Sequence, residues 1–247
     1  MKSIVVFGAG KSATCLIDYL TRICTEKQWT LTIGDTDPEA LKKKLAKSSA
    51  VNTVQVNVVN SSERNALIQK ADLVISLLPP ALHILIARDC VVNSKNLLTA
   101  SYVDDEIRKL ATRIDDKKLF FLFEMGLDPG IDHMSAMQII HRIQKKAGKI
   151  SVFRSHTGGL VAPESDDNPW HYKISWNPAN VVKAGSAGAV FKEADEIKKV
   201  EYKNIFQNPG LVEIKPLGNY AWYPNRDSLA YIPVYGLESA HSFIRTT

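Results

Sequence analysis

Apolar residues run unbroken from Ile4 to Phe7, stop at Gly8-Ala9-Gly10, and then recur at Ala13, Leu16, Ile17 and Leu20. A short continuous run is the pattern of a strand buried on both faces, and recurrence every three or four residues is that of a helix with one buried face. The same alternation continues along the first half of the chain. Strand-like runs lie in "WTLTIGD", "VNTVQVNVV", "ADLVISLLP", "KNLLTASYV" and "KLFFLFEMG". Helical spacing lies between most of them, in "DPEALKKKLAKS", "SERNALIQKA", "PALHILIARDCVV" and "DDEIRKLATRID". Strands separated by helices pair in parallel through right-handed crossovers. The prediction is an α/β doubly wound parallel sheet.

Beyond a helix carrying Met134, Met137, Ile140 and Ile143 the pattern changes. "KISVFRSHTGGLVAPE", "YKISW", "AVFKE", "VEIKPLG" and "LAYIPVYG" read as short strands separated by Gly, Pro and Asn. This predicts an α+β second domain. Between the two patterns stands "FEMGLDPGIDHMSAM", where Asp128 is the expected N-cap of the new helix and Pro129 its first residue.

The first turn is GxGxxA, placed between a strand and a helix. Gly8 permits the tight turn, Gly10 lets a pyrophosphate approach backbone, and Ala13 is small enough for close packing of helix on strand. The helix start, with Lys11 and Ser12, then offers N–H groups and a positive dipole end to phosphates. This is the fingerprint of a dinucleotide-binding Rossmann unit, expected over residues 1–128, with the α+β domain over 129–247 for substrate or dimer contacts. Asp35 ends the second strand, where a carboxylate accepts bonds from the adenosine ribose hydroxyls and repels a 2′-phosphate. NAD is therefore expected over NADP, although Lys42 to Lys44 could offer a phosphate a cation. Ligands of such sheets gather outside the carboxyl ends of the strands. That edge holds Ser76, Leu77, Leu78, Ala100 to Tyr102, and Glu124 to His133.

Composition narrows the classes. The 247 residues are 45% hydrophobic and 23% charged, enough for a sizeable core. The net charge of +5 comes from scattered lysines interleaved with acids, which argues against a nucleic-acid surface. Three cysteines without CxxC spacing predict neither a disulfide framework nor a zinc site, and six histidines without HxH or HExxH spacing predict no metal. "LVISLLPPALHILIA" is broken by Pro79, Pro80 and His83, so no membrane span is expected. The chain enters a strand at once, with no room for a cleavable signal, and a soluble cytoplasmic protein is the expectation.

"GLDPGIDHMSAM", "GGLVAPESDDNPWHYKISWNP" and "YPNRDSL" occur in this order, with "VISLLPPALH" and "TASYVDDE" ahead of them. Together they resemble the saccharopine dehydrogenase family of the L-glutamate-forming type, also called saccharopine reductase. The resemblance implies an NAD(P)-dependent oxidoreductase of lysine metabolism. Such an enzyme oxidises saccharopine at its secondary amine and yields L-glutamate and 2-aminoadipate 6-semialdehyde. It also implies that Ser101 and Tyr102 contact substrate and that Trp176 lies at the cofactor and substrate cleft. A substrate with three carboxylates needs fixed cations, and Arg226 suits a bidentate clamp. Asp128 joins Ser101, Tyr102 and Arg226 as a substrate-binding candidate. The amine proton needs a base; Asp128, Asp132, His133 and Tyr102 are the candidates, and the sequence does not choose among them.

The chain departs from the family at "YGLESAHSFIRTT". Thr246 stands where a glycine is usual, and the family's further stretch does not follow. The resemblance therefore implies a C-terminally shortened member with an incomplete second domain, whose unpaired strand edges favour a homodimer. Two other readings compete. One is a related carboxy-polyamine or homospermidine-type NAD(P) enzyme; the other is a nucleotide-binding protein left without activity.

Overall fold

The apolar run Ile4 to Phe7 sends alternate side chains to opposite sides, as the two-residue period of a strand requires. Val5 and Phe7 enter one apolar cluster with Val56, Val74, Ile86 and Leu97. Ile4 and Val6 enter a second with Ala13, Ile17, Leu31 and Ile33. A core on each face is what a doubly wound sheet needs, and each of these side chains contributes about 1.5–3 kcal/mol by leaving water. The computed structural model describes residues 2–37, 41, 51–174 and 188–246. Two units are present, Met1–Ile131 and Asp132–Thr247.

Among the described residues the first unit is built on six parallel strands: β1 (Ser3–Phe7), β2 (Thr30–Asp35), β3 (Val51–Gln55), β4 (Leu73–Ser76), β5 (Asn96–Thr99) and β6 (Phe121–Leu122). Their order is β3-β2-β1-β4-β5-β6. The order reverses between β1 and β4, which makes the carboxyl ends of those two strands the switch point where ligands bind. Helices α1 (Thr14–Lys27), α2 (Ser61–Ile68) and α3 (His83–Val92) pack on the sheet. A buried ion pair joins the last two, with Arg64 Nε 2.5 Å from Asp89 Oδ2. The helix expected from "DDEIRKLATRID" arrives as two short pieces, α4 (Asp105–Arg108) and α5 (Ala111–Asp116). At the break the Leu110 amide closes on the Ile107 carbonyl, three residues back, a tighter turn that ends α4. The helix expected over "DPEALKKKLAKS" lies, except for Asp37 and Leu41, outside the described residues.

The second unit opens with α6 (Ile131–Gln144), whose Ile140 is buried against Tyr235, Leu237, Ala240 and Phe243. Its sheet is mixed. β7 (Val152–His156) runs parallel to β13 (Ser242–Thr246), while β8 (Ala189–Glu193) pairs antiparallel with β9 (Glu196–Val200) and β13. β12 (Arg226–Asp227) runs parallel to β8, and β10 (Gly210–Ile214) with β11 (Gly218–Trp222) forms a separate hairpin. Three expectations need correction here. "LAYIPVYG" is a 3-10 turn followed by the short helix α7 (Ile232–Tyr235), because Pro233 fits a first helical turn and donates nothing to a strand ladder. Residues 172–174 of "YKISW" carry no regular structure. Asp128 and Pro129 do not open α6, which starts at Ile131. They belong instead to a tight loop in which the Gly126 amide donates to the Pro129 carbonyl at 2.9 Å and the Ile131 amide to the Gly126 carbonyl at 3.0 Å. Gly130 makes that loop possible: its φ is +150°, and a Cβ there would stand 2.1 Å from the Gly126 oxygen.

Among the described residues no helix is long and apolar enough to cross a membrane, and no group of His, Cys, Asp or Glu could hold a metal. The cysteines are free thiols. Burial pushes the Cys90 thiol up to about 12, so it stays protonated.

Candidate active site

The turn after β1 has the shape that its glycines require. Gly8 sits at φ +97°, and a Cβ on it would come within 2.8 Å of the Leu77 carbonyl oxygen, so the loops after β1 and β4 lie directly against each other. A Cβ on Gly10 would meet nothing within 4 Å. That open space beside bare backbone is what a pyrophosphate needs, and the residues present fit a dinucleotide. Lys11, Ser12 and Ala13 form a 3-10 turn that leads into α1; Ala13 is fully buried beneath it, and Lys11 and Ser12 are exposed. Asp35 is drawn into the turn. Its Oδ2 accepts the Ala9 amide at 2.6 Å, while its Oδ1 accepts the Asp37 amide at 3.0 Å and the Thr36 hydroxyl at 3.4 Å. The carboxylate at the end of β2 therefore fixes the glycine turn. Lys42 to Lys44 lie outside the described residues.

At the end of β4, Ser76 is fully buried and its Oγ lies 2.8 Å from His83 Nδ1. Burial lowers the His83 pKa to about 4, against a smaller opposing pull from Asp104, so the imidazole is neutral at ordinary pH. Leu77 and Leu78 are half-buried, and the Leu77 amide donates to the Phe7 carbonyl at 2.8 Å.

The loops after β5 and β6 are laced together. The Glu124 amide donates to the Ser101 carbonyl at 3.0 Å, the Met125 amide to the Thr99 carbonyl at 3.1 Å, and the Val103 amide to Glu124 Oε1 at 3.3 Å. Ala100 and Ser101 are half-buried within this lacing. Its outcome is that the Tyr102 hydroxyl donates to Asp128 Oδ1 at 2.7 Å, uniting two of the four proton-transfer candidates at the carboxyl edge of the sheet.

The other two candidates belong to the second unit. Asp132 Oδ2 accepts from Arg245 Nη2 at 2.8 Å, and the Arg245 guanidinium lies 4.1 Å from the centre of the Tyr231 ring. His133 stacks on Tyr231 at 5.0 Å, and its Nδ1 lies 2.5 Å from the Tyr235 hydroxyl. Arg245, Tyr231 and Tyr235 carried no signal in the sequence, since nothing in spacing tied the C-terminal strand to the start of α6. Arg226 is exposed at the start of β12, its amide donating to the Gly188 carbonyl at 2.9 Å. Trp176 lies outside the described residues.

A parallel sheet of this order, with an open glycine turn at its switch point, defines a Rossmann-type α/β protein carrying a second, mixed-sheet unit. Residues 4–122 match the family described as Saccharopine dehydrogenase NADP binding domain, and residues 126–247 match Saccharopine dehydrogenase C-terminal domain. The chain belongs to the saccharopine dehydrogenase family. It is 37% identical to the alpha-aminoadipic semialdehyde synthase of Arabidopsis thaliana over 96% of its own length and 24% of that protein's. It is 30% identical to the saccharopine dehydrogenase [NADP(+), L-glutamate-forming] of Saccharomyces cerevisiae, over 100% of this chain and 54% of the yeast one. The solved apo structure of the L-Glu-forming saccharopine dehydrogenase from S. cerevisiae superposes with a TM-score of 0.90 at 28% identity, covering 100% of this chain and 55% of that one. The chain thus spans about half the length of the fungal relatives and about a quarter of the synthases.

Proposed function

We propose that this chain is an NAD(P)-dependent oxidoreductase acting on the secondary amine of saccharopine to give L-glutamate and 2-aminoadipate 6-semialdehyde. The observation that carries the reading is the Tyr102–Asp128 hydrogen bond at the same strand edge as the open glycine turn. The bound nicotinamide would accept hydride from the carbon next to nitrogen. Everything else falls to the chain. Tyr102 and Asp128 form an acid–base couple of the kind that can take the amine proton and return one to nitrogen as water adds and the C–N bond breaks. The names of the relatives support the substrate: the fungal proteins are named for saccharopine and the plant and mammalian ones for the semialdehyde.

Of the two cofactors we propose NAD. Asp35 presents a carboxylate where the adenosine ribose binds, and a 2′-phosphate there would meet like charge. The fungal relatives are named for NADP(+), the synthases for neither cofactor. NADH should bind about tenfold more tightly than NADPH when each is titrated against its own fluorescence, and a preference for NADPH would remove the assignment. Addition of saccharopine and the oxidised cofactor to the same protein should then generate reduced cofactor. Binding without such turnover would mark a nucleotide-binding protein without activity, and turnover with carboxy-polyamines instead would mark the related polyamine enzymes.

Arg226 supports the substrate assignment through its chemistry, a planar donor pair that matches a carboxylate. Arg226→Ala should raise the KM for saccharopine by about ten- to a hundredfold, the loss of one charge-assisted contact, and leave the NADH Kd within about twofold. Equal losses of both would assign Arg226 to folding.

A homodimer belongs to the same proposal. β7 forms an edge of the second sheet among the described residues, and its outer backbone groups suit a second copy. The free thiols support a reducing compartment. That suits the cytoplasm, our proposal for this chain, and equally the mitochondrion named for the rat relative.

A further inference from the structure

Ser76 and His83 close a loop between them. Ser76 is the last residue of β4 and wholly buried, and His83 is the first residue of α3 and only 3% exposed. The 2.8 Å contact between Ser76 Oγ and His83 Nδ1 ties the two ends of the segment running from Leu77 to Leu82. That segment is also the one stacked on the glycine turn. The Leu77 amide is held by the Phe7 carbonyl, and a Cβ on Gly8 would stand 2.8 Å from the Leu77 oxygen and 3.4 Å from the Leu78 nitrogen. The backbone stacked on the glycine turn at the switch point is therefore bridged end to end by this side-chain pair.

A buried imidazole costs free energy that an apolar side chain of the same size would not. Simple filling of space does not require a histidine here. Nor does contact with the ligand, because Ser76 has no exposed surface through which its hydroxyl could reach one. What a histidine supplies and a leucine cannot is the bond to Ser76.

We propose that Ser76 and His83 are a positioning pair for the nicotinamide dinucleotide, setting the path of Leu77 and Leu78 over Gly8 so that the edge after β4 is formed before the ligand arrives. Ser76, expected at the cofactor edge, acts in this proposal through the path of the loop that follows it. It rests on the reading that this edge binds NAD(P). Preformed loops bind more tightly because less ordering is left to the binding step.

Three variants of the full chain test the pair: His83→Leu, Ser76→Ala and His83→Asn. Leucine keeps the volume and loses the bond, alanine removes the partner, and the asparagine amide lies close to the place of Nδ1 and keeps a group that bonds to Ser76. NADH affinity is read by fluorescence titration and stability by thermal melting. His83→Leu and Ser76→Ala should raise the NADH Kd by about five- to tenfold, the loss of one hydrogen bond. His83→Asn should return the Kd to within about twofold of the unchanged protein, even where its melting temperature falls as far as that of His83→Leu. A purely structural role would move the melting temperature and not separate Leu from Asn in affinity. Equal Kd values for His83→Leu and the unchanged protein, or an Asn variant as weak as the Leu one, would overturn the proposal. If the unchanged protein binds neither NADH nor NADPH, the dinucleotide reading itself fails and takes this one with it.

Discussion

Replacing Tyr102 with Phe is expected to lower saccharopine turnover by about a hundredfold or more while leaving the NADH Kd within about twofold. The magnitude is that of a lost proton-transfer group, typically 10²–10⁴ in rate. Phenylalanine keeps the ring and removes only the hydroxyl that donates to Asp128 at 2.7 Å. Asp128→Asn should cost a similar factor, since the amide accepts the same bond but takes no proton. The double variant should be hardly slower than either single one, because members of one proton-transfer unit are not additive. Rates from single turnovers at saturating cofactor, with Kd values from titration, separate the two effects. A tyrosine that merely packs would give a small loss in Tyr102→Phe; an Asp128 that merely shapes the loop would lose cofactor binding along with rate. Either outcome would move the proton-transfer role away from this pair.

The first unit was legible because each of its signals is local. A four-residue apolar run, two glycines and a helical spacing lie within twenty residues, and the β1–β2 and β1–β4 pairings follow from crossover chemistry. The union of Tyr102 with Asp128 was only half legible. Both residues were placed at strand ends, but the backbone lacing between Thr99–Val103 and Glu124–Met125 that brings them together has no sequence pattern. In the second unit the pairings are long-range and mixed in direction. β13 was missed altogether although it is the best buried strand there, because "SFIRT" is short and interrupted by polar residues. "LAYIPVYG" misled for the opposite reason: aromatic and β-branched residues favour strands, and one proline with its turn overrode them. The Asp128-Pro129 pair had the composition of a helix start, yet Gly130 diverted it into a loop of its own.

That diversion bears on Asp132, the candidate whose role the structure makes most testable. Its side chain is 6% exposed and that of Arg245 14%, and they meet at 2.8 Å with the guanidinium stacked on Tyr231. Removing one member of a buried ion pair takes a close counter-ion from the other charge, a loss of up to about 3–5 kcal/mol. Arg245→Met should therefore lower the melting temperature by roughly 10 °C, taking about 2–4 °C per kcal/mol for a protein of this size. Asp132→Asn should lower it comparably. A double variant, Asp132→Leu with Arg245→Met, should recover much of the loss, since two apolar side chains carry no desolvation penalty. The pair sits where α6 begins and β13 nears its end, so its contribution is to fasten the first helix of the second unit to that unit's best-buried strand. A proton-transfer role for Asp132 makes the reverse forecast. Asp132→Asn would then melt like the unchanged protein and still lose turnover, and that result would assign Asp132 to the chemistry and leave Arg245 as the residue that positions it.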